Sequence, residues 1–297
     1  MGLPRRRARR ADRAPHRPRR ARRPVGGVLG RGRHARTHPA ARRRAAQAAR
    51  PGPDRQPRRC PQPGHRPAAA SELGIVVSHT GYLPHPTAEH TWALILAAMR
   101  DVPGQQQSMR EGGWQTAVGR SLQDATLGII GLGRLGTRVA RIGQAFGMRT
   151  IAWSANLTTE KAAEHDVDAV TKEQLLAQSD VVTIHQVLSS RTRGLIGAPE
   201  LALMKPDAWL VNTSRGPIVD ETALIDALRE QRIGGAALDV YDIEPLPADH
   251  PLRGLSNTVL TPHIGYVVRD LYRVFYEGAV EDIAAWVGGE PIRVMGR

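Results

Sequence analysis

Hydrophobic and polar positions change their pattern near residue 71 of the 297-residue chain. Beyond that point, short apolar runs alternate with stretches in which apolar residues recur every three or four positions, which indicates strands alternating with amphipathic helices. The predicted strands lie at 74–78, 127–130, 150–153, 181–185, 208–212, 236–241 and 258–261, and the predicted helices at 87–100, 135–146, 198–204, 220–229 and 271–287. Because the strands are rich in Val, Ile and Leu, this β-α-β alternation predicts an α/β fold with a parallel, doubly wound sheet.

Two threonines stand where the sequence predicts the N-terminus of a helix. Thr87 is predicted to cap the first helix, and Thr171 to open a further helix in a capping box with Gln174. The helix after Thr87 is apolar almost all round, so we expect it to be buried between other elements. Residues 101–104, Asp-Val-Pro-Gly, are predicted to end it, and a polar stretch at 105–119 follows.

Residues 1–70 differ in composition from the rest of the chain. They hold 22 arginines, no lysine and two aspartates, whereas the remaining 227 residues hold 20 basic and 26 acidic side chains. They also hold half of the 22 prolines and no Phe, Trp, Tyr, Ile or Ser. Such a segment buries too little apolar area to offset its chain entropy, so we expect it to be disordered.

Three interpretations of this Arg/Pro-rich segment compete. A transit peptide is disfavoured because the segment is neither Ser-rich nor amphipathic. An arm that binds nucleic acid through arginine and phosphate is physically allowed, but without aromatic residues it would bind unspecifically. We prefer a reading-frame artefact, because Arg, Ala, Pro and Gly are the residues that GC-rich codons give when they are read out of frame. Reading the upstream DNA in all frames tests this hypothesis.

A glycine-rich segment at 126–137 carries the clearest chemical signal. Gly131, Gly133 and Gly136 have the spacing G-x-G-x-x-G between a predicted strand and a predicted helix. The first glycine allows a tight turn, the second lets the backbone approach a pyrophosphate, and the third lets the helix pack against the strand. Because a helix N-terminus also attracts phosphate, this context predicts a dinucleotide site.

The identity of the dinucleotide stays open between NAD and NADP. An acidic residue about 20 positions after the last glycine usually binds the ribose hydroxyls of NAD. The next predicted strand is followed instead by Ser154, Ala155 and Asn156. Ser154 can hydrogen-bond a ribose and does not repel a 2′-phosphate. No metal site is predicted.

Three polar residues follow consecutive predicted strands at their carboxyl ends, where open α/β sheets bind ligands. They are Arg215 in N-T-S-R-G, Glu244 in D-I-E-P and His263 in T-P-H-I-G-Y. Singly, each would more often be solvated or structurally satisfied. Together they suit reduction of a 2-oxo acid: Arg215 can bind a carboxylate, His263 can protonate a carbonyl oxygen, and Glu244 can favour the charged imidazole.

From about Ala70 to Arg297 the chain resembles the D-isomer-specific 2-hydroxyacid dehydrogenases. The matching segments are L-G-I-I-G-L-G-R-L-G at 127–136, L-M-K-P-D-A-W-L-V-N-T-S-R-G-P-I-V-D at 203–220, A-A-L-D-V-Y-D-I-E-P-L-P at 236–247 and V-L-T-P-H-I-G at 259–265. The resemblance implies that Arg215 orients the substrate, that His263 donates the proton and that Glu244 is its partner. The cofactor contacts that it implies, besides the glycines, are Arg134, Leu135, Ser154, Gln186, Thr213 and Asp239.

The resemblance also implies a division of the chain. Residues 87–265 would form the dinucleotide-binding domain, 71–86 a remnant of the flavodoxin-like substrate domain, and 266–297 a C-terminal helix returning to that domain. Residues 1–70 do not resemble the family, Ser154 replaces its usual Asp, and Gln186 stands where a small or apolar residue is commoner. We therefore predict that this chain binds cofactor, turns over 2-oxo acids poorly and aggregates through the apolar faces left without a partner.

The predicted partners are a small 2-oxo or 2-hydroxy acid, of the size of glyoxylate or hydroxypyruvate, and a second copy of the chain in a homodimer. No run of 18 or more apolar residues predicts a membrane span, and the single cysteine, Cys60, fits a reducing cytoplasm. Two alternatives stay open. One is a non-catalytic, corepressor-like protein that binds a dinucleotide, and the other is a nucleic-acid binder acting through residues 1–70.

Overall fold

The computed structural model of the protein describes residues 70 and 72–295. The predictions made for residues 1–69 lie outside the described residues. Seven strands form one sheet: β1 (Thr126–Ile130), β2 (Arg149–Trp153), β3 (Asp168–Ala169), β4 (Val181–Ile184), β5 (Trp209–Asn212), β6 (Gly235–Leu238) and β7 (Thr258–Leu260). Every neighbouring pair is parallel, and the strand order is β3-β2-β1-β4-β5-β6-β7. The doubly wound parallel sheet predicted from the sequence is confirmed. The order in which the chain adds strands switches between β1 and β4: β2 and β3 extend the sheet to one side of β1, and β4 to β7 extend it to the other.

Helices pack on both faces of this sheet. The helices are α1 (His85–Met99), α2 (Val102–Arg110), α3 (Arg134–Ala145), α4 (Thr159–Ala163), α5 (Lys172–Gln178), α6 (Ala198–Leu201), α7 (Glu221–Arg229) and α8 (Arg269–Val287). Of these, α2 and α8 leave much of their surface exposed. Two short 3₁₀ turns, Gly216–Ile218 and Pro251–Gly254, lie in the loops after β5 and β6. None of the helices in the described part of the chain combines the length and the apolarity that a membrane span requires.

Alternation along each strand divides the core into two clusters, because successive strand side chains point to opposite faces. Ile129 of β1 lies in the cluster with α1 and α3, where the Trp92 Nε1 donates to the Val139 carbonyl oxygen at 3.2 Å. Ile130 lies in the other cluster, with residues of α5, α6 and α7. Both strand residues are fully buried, as the apolar runs of the sequence predict.

The first helix is buried as predicted, but its predicted start is wrong. Helix α1 begins at His85 after Pro84, and Thr87 lies buried inside the helix rather than at its cap. Pro86 in the first turn explains the earlier start, because its fixed φ suits that position and it needs no hydrogen-bond partner there. The helix ends at Met99 as expected. Asp101 then caps α2 by accepting from the Gly104 N–H, and α2 continues to Arg110 into the polar stretch, where no helix was predicted.

The predicted buried strand at 74–78 is wrong. Ile75 is 56% exposed, and among the described residues the segment makes only a single antiparallel bridge, from Ser78 to Val294. An apolar run becomes a strand only where a neighbour satisfies its backbone groups, and no strand of the sheet lies beside this one. The sequence reading also missed α4 and the two-residue strand β3, which are too short to show a period.

The remaining elements follow the predictions within a few residues. The capping box of Thr171 and Gln174 is present at the start of α5. The predicted strands at 181–185 and 236–241 end earlier, at Ile184 and Leu238, so the polar residues after them lie in loops at the carboxyl edge of the sheet.

Candidate active site

The glycine turn after β1 has the geometry that its spacing predicts. Gly131 has a φ of +104°, a conformation that L side chains rarely adopt. A Cβ on Gly136 would lie 2.1 Å from the Gly131 carbonyl oxygen, so α3 can approach β1 only because that position lacks a side chain. A Cβ on Gly133, the N-cap of α3, would meet no atom of the described residues within 4 Å. The open space therefore lies in front of the second glycine, where a pyrophosphate would approach.

The other predicted contacts along the dinucleotide lie around this turn. Arg134 is exposed and Leu135 half-buried in the first turn of α3, and Ser154 is half-buried just after β2. The side-chain carbonyl carbon of Gln186 would be 3.3 Å from a Cβ on Gly131, so this side chain lies against the turn. The residues present thus fit a dinucleotide that runs along the carboxyl ends of β2, β1 and β4.

His185, which follows β4, is a polar residue that the sequence reading did not single out. Its carbonyl oxygen packs against Gly131, and its Nε2 lies 3.0 Å from the Thr183 Oγ1. Burial lowers the pKa of His185 to about 4, so the ring is neutral near pH 7.

Thr213 and Asp239 directly follow β5 and β6, and their side chains contact other parts of the protein. The Thr213 Oγ1 is 2.9 Å from the Thr91 Oγ1 of α1. Asp239 is 1% exposed and accepts hydrogen bonds from the Thr261 hydroxyl and from the backbone N–H of Ile264 and Gly265. Their assignment as cofactor contacts stays a prediction.

His263 and Glu244 form a direct pair at the same edge of the sheet. The His263 Nδ1 lies 2.6 Å from the Glu244 Oε2, and the second carboxylate oxygen accepts from the Tyr241 N–H at 3.0 Å. Since a carboxylate only accepts, the proton of this bond sits on Nδ1. Among the described residues the Nε2 of His263 has no hydrogen-bond partner, which leaves it for a substrate.

The charge of Glu244 is set by opposing effects. Burial acts to raise the pKa of Glu244, but the hydrogen bonds from His263 and Tyr241 and the positive charges of His263 and Arg215 outweigh it. The pKa of Glu244 therefore lies below its ordinary value, and the group is a carboxylate near pH 7.

The charge of Arg215 acts on Glu244 across two loops that touch backbone to backbone. A Cβ on Gly216 would lie 2.1 Å from the Tyr241 carbonyl carbon, so only glycine lets the loop after β5 approach the loop that carries Glu244. The Asn212 side chain closes the turn by donating to the Arg215 carbonyl oxygen and accepting from the Ser214 N–H, both at 3.0 Å. The guanidinium itself donates to the Ser214 carbonyl oxygen at 2.6 Å.

A glycine turn and an acid–base pair beside an arginine, on one edge of a doubly wound sheet, define a nicotinamide-dependent oxidoreductase. The structure thus brings together the residues that the sequence predicted from three separate strand ends. It adds His90 and Thr91, which no motif indicated, and Tyr241, which lies in the matching segment 236–247 but was given no role. Polar residues at 87 and 89–91 in the first half of a helix whose second half is apolar were the available signal for the first two.

Comparison with known proteins agrees with this class. The family model described as "D-isomer specific 2-hydroxyacid dehydrogenase, NAD binding domain" matches residues 92–265. The chain belongs to the D-isomer specific 2-hydroxyacid dehydrogenase family, whose reaction is hydride transfer between NAD(P) and 2-oxo or 2-hydroxy acids. The cofactor is NAD or NADP.

Individual relatives differ in the acid that they are named for. A glyoxylate reductase of Aeropyrum pernix is 45% identical over 231 residues, which are 74% of this chain and 69% of that protein. A phosphoglycerate oxidoreductase structure from Vibrio cholerae is 36% identical with a TM-score of 0.71, covering 74% of this chain and 71% of the other. A D-lactate dehydrogenase structure with NAD⁺ from Lactobacillus jensenii is 27% identical with a TM-score of 0.66, covering 77% and 74%.

Proposed function

We propose that the protein reduces a small 2-oxo acid, of the size of glyoxylate or hydroxypyruvate, to the D-2-hydroxy acid. The observation that carries this proposal is the His263–Glu244 pair, 2.6 Å long, held beside Arg215 at the edge where the glycine turn opens. The glyoxylate reductase relative supports the choice of a short substrate. The corepressor-like alternative is not favoured, because the relatives are named as enzymes and the acid–base pair is intact.

In this mechanism each side chain acts at a stated atom. The guanidinium of Arg215 binds the substrate carboxylate and orients the adjacent carbonyl group. The Nε2 of His263 donates a proton to the carbonyl oxygen, while Glu244 holds the ring through Nδ1 and stabilises its charged form. The nicotinamide, when bound, supplies the hydride for the carbonyl carbon. In the reverse direction the Nε2 accepts the proton from the hydroxyl group.

Replacing His263 by Asn tests this proposal, because Asn tolerates the positive φ of 56° at that position. Loss of the acid should slow single-turnover oxidation of NADH or NADPH by glyoxylate by about 10²-fold or more. Cofactor affinity, measured by NADH fluorescence, should stay unchanged. If wild-type protein that binds NADH transfers no hydride to glyoxylate, hydroxypyruvate or pyruvate, the proposed function is wrong.

We also propose that the chain forms a homodimer through the segment 102–118. Helix α2 has no buried residue, Trp114 is 69% exposed and Val118 is 98% exposed, although both are large apolar side chains. Large apolar side chains left exposed close together in the sequence suit an interface, because burial against a partner removes them from water. The cytoplasmic location expected from the single cysteine also stays a prediction.

Ultracentrifugation of the double variant Trp114→Ser, Val118→Ser tests the dimer. We expect the wild type to sediment as a dimer and the variant to dissociate at least about tenfold more readily, because two apolar anchors are lost. A matched control is Leu203→Ser, which changes an exposed apolar residue after α6 and should leave the assembly unchanged. Dimers of equal affinity in all three proteins would contradict this interface.

A further inference from the structure

We propose that His90 is a positioning residue for His263: it fixes Asp239, whose carboxylate holds the loop that carries the proton donor. This inference rests on the proposed function of His263. It assigns a role to a side chain of α1, an element that supplies none of the residues placed in the mechanism.

His90 projects from a helix that is otherwise mostly apolar towards the end of β6. Its Nε2 lies 3.2 Å from the Asp239 Oδ1 and 3.0 Å from the Thr261 Oγ1. The side chain is 16% exposed, so these contacts are largely shielded from water. One ring nitrogen thus contacts both Asp239 and the first residue of the loop after β7.

Asp239 accepts hydrogen bonds from residues of that loop on both sides of His263 in the sequence. On the near side its Oδ1 accepts from the Thr261 hydroxyl at 2.6 Å. On the far side its Oδ1 and Oδ2 accept from the N–H groups of Ile264 and Gly265 at 2.9 and 2.8 Å. The residues before and after His263 are therefore fixed by a single buried carboxylate.

The loop also packs directly on His90. A Cβ on Gly265 would lie 3.2 Å from the Asp239 Oδ2 and 3.7 Å from the His90 Cδ2. The absence of a side chain at Gly265 lets the loop reach both groups. A shift of His90 would therefore be felt by the loop through packing as well as through hydrogen bonds.

His263 needs these hydrogen bonds and packing contacts because its backbone conformation is unfavourable. Its φ is +56°, in the left-handed region that residues other than glycine seldom occupy. Such a conformation persists only where the surroundings over-determine it. A looser loop would let the backbone relax and would move the imidazole away from Glu244.

The hydrogen bond from His90 helps to stabilise the negative charge of the buried Asp239 carboxylate. Burial acts to raise the pKa of Asp239, but hydrogen bonds from His90, Thr261, Ile264 and Gly265 lower it below its ordinary value. Removal of one donor leaves a buried carboxylate with less compensation for its lost hydration. The loop would then open more often to admit water.

Two variants of His90 and one control test the proposal. His90→Leu removes the donor, while His90→Gln keeps an N–H near the position of Nε2. Gln144→Leu is the control, because it removes hydrogen bonds from Gln144 to Thr150 and to the His165 and Asp166 carbonyl oxygens, near the start of β2 and away from the loop.

Hydrogen–deuterium exchange of the peptide 259–268 is the main readout. We expect His90→Leu to speed exchange there about tenfold, the effect of one hydrogen bond, with little change elsewhere. His90→Gln should restore most of the protection, and Gln144→Leu should leave this peptide unchanged. In single turnovers, His90→Leu should lower the rate of hydride transfer by a similar factor without weakening NADH binding.

The proposal is overturned if exchange at 259–268 is unchanged in His90→Leu, if it rises equally over the whole chain, or if His90→Gln fails to restore it. The exchange experiment does not require turnover. An inactive wild type would therefore contradict the proposed function, whereas an unchanged loop contradicts the positioning role.

Discussion

At the scale of single residues, the three glycines of the turn after β1 have different structural roles, although the motif G-x-G-x-x-G contains the same residue type at each position. Gly131 supplies a backbone conformation, Gly136 supplies close packing of α3 on the turn, and Gly133 leaves space that no atom in the described part of the chain fills. Only the last of these should concern the cofactor directly. Substitutions that add one methyl group can separate the packing role from the binding role.

We predict that Gly133→Ala folds normally and binds NADH about tenfold or more weakly, because its Cβ enters open space that the pyrophosphate would fill. Gly136→Ala should instead destabilise the protein by about 1–3 kcal/mol, because its Cβ would overlap the Gly131 carbonyl oxygen. Urea unfolding and NADH titration measure the two effects. Equal loss of stability in both variants would contradict the distinction.

At the scale of elements, Asp180 joins the starts of neighbouring strands at the amino edge of the sheet. Its Oδ2 accepts from the Thr126 N–H of β1 at 2.7 Å, and its Oδ1 from Lys205 at 3.0 Å and Arg120 at 3.3 Å. Burial acts to raise the pKa of Asp180, but these partners lower it below the ordinary 3.8. A carboxylate thus ties together the segments that lead into β1, β4 and β5.

Asp180→Asn should lower the free energy of unfolding near pH 7 by about 1–3 kcal/mol, because it weakens charge-assisted hydrogen bonds. A lowered pKa in the folded state means that the stabilisation is fully present above pH 3.8 and is lost as the pH falls through the folded value. The difference from wild type should therefore shrink below pH 3.8. Denaturant unfolding at pH 7 and pH 3 checks this, and a constant difference would contradict it.

At the scale of the whole molecule, α8 presents an apolar face to solvent. Its exposed side chains include Tyr276, Val280, Ile283 and Trp286, and the segment after Ala70 adds exposed Leu73 and Ile75. The spacing of the α8 residues is that of one helix face, which ordinarily packs against another element. This surface supports the aggregation predicted from the sequence.

The triple variant Val280→Ser, Ile283→Ser, Trp286→Ser should aggregate less on concentration, because it removes exposed apolar area. Its thermal unfolding temperature should change little, since these side chains are already exposed. Static light scattering against concentration measures the first effect and calorimetry the second. Unchanged scattering would show that other surfaces drive association.

The sequence predicted the sheet well because parallel strands are buried on both faces and read as unbroken apolar runs. It also predicted that His263 and Glu244 lie together, since strand ends in this fold converge on one edge. It failed at 74–78, where an apolar run lacks a partner, and at Thr87, where Pro86 moved the helix start. The role of Asp239 as an anchor for the His263 loop could not be predicted, because its partners are backbone N–H groups and a histidine from a distant helix.

The central place of β1 has a consequence for synthesis of the protein. Thr126 bonds to Asp180, which is 54 residues further along the chain, and the glycine turn rests on the His185 carbonyl oxygen. At about 5–20 residues per second, a ribosome releases β1 several seconds before β4. During that interval one side of β1 lacks its hydrogen-bonded neighbour, so the nascent chain exposes an unpaired strand edge that could pair with another chain. The turn that contains Gly131, Gly133 and Gly136 therefore has all its packing partners only once β4 and His185 have been synthesised.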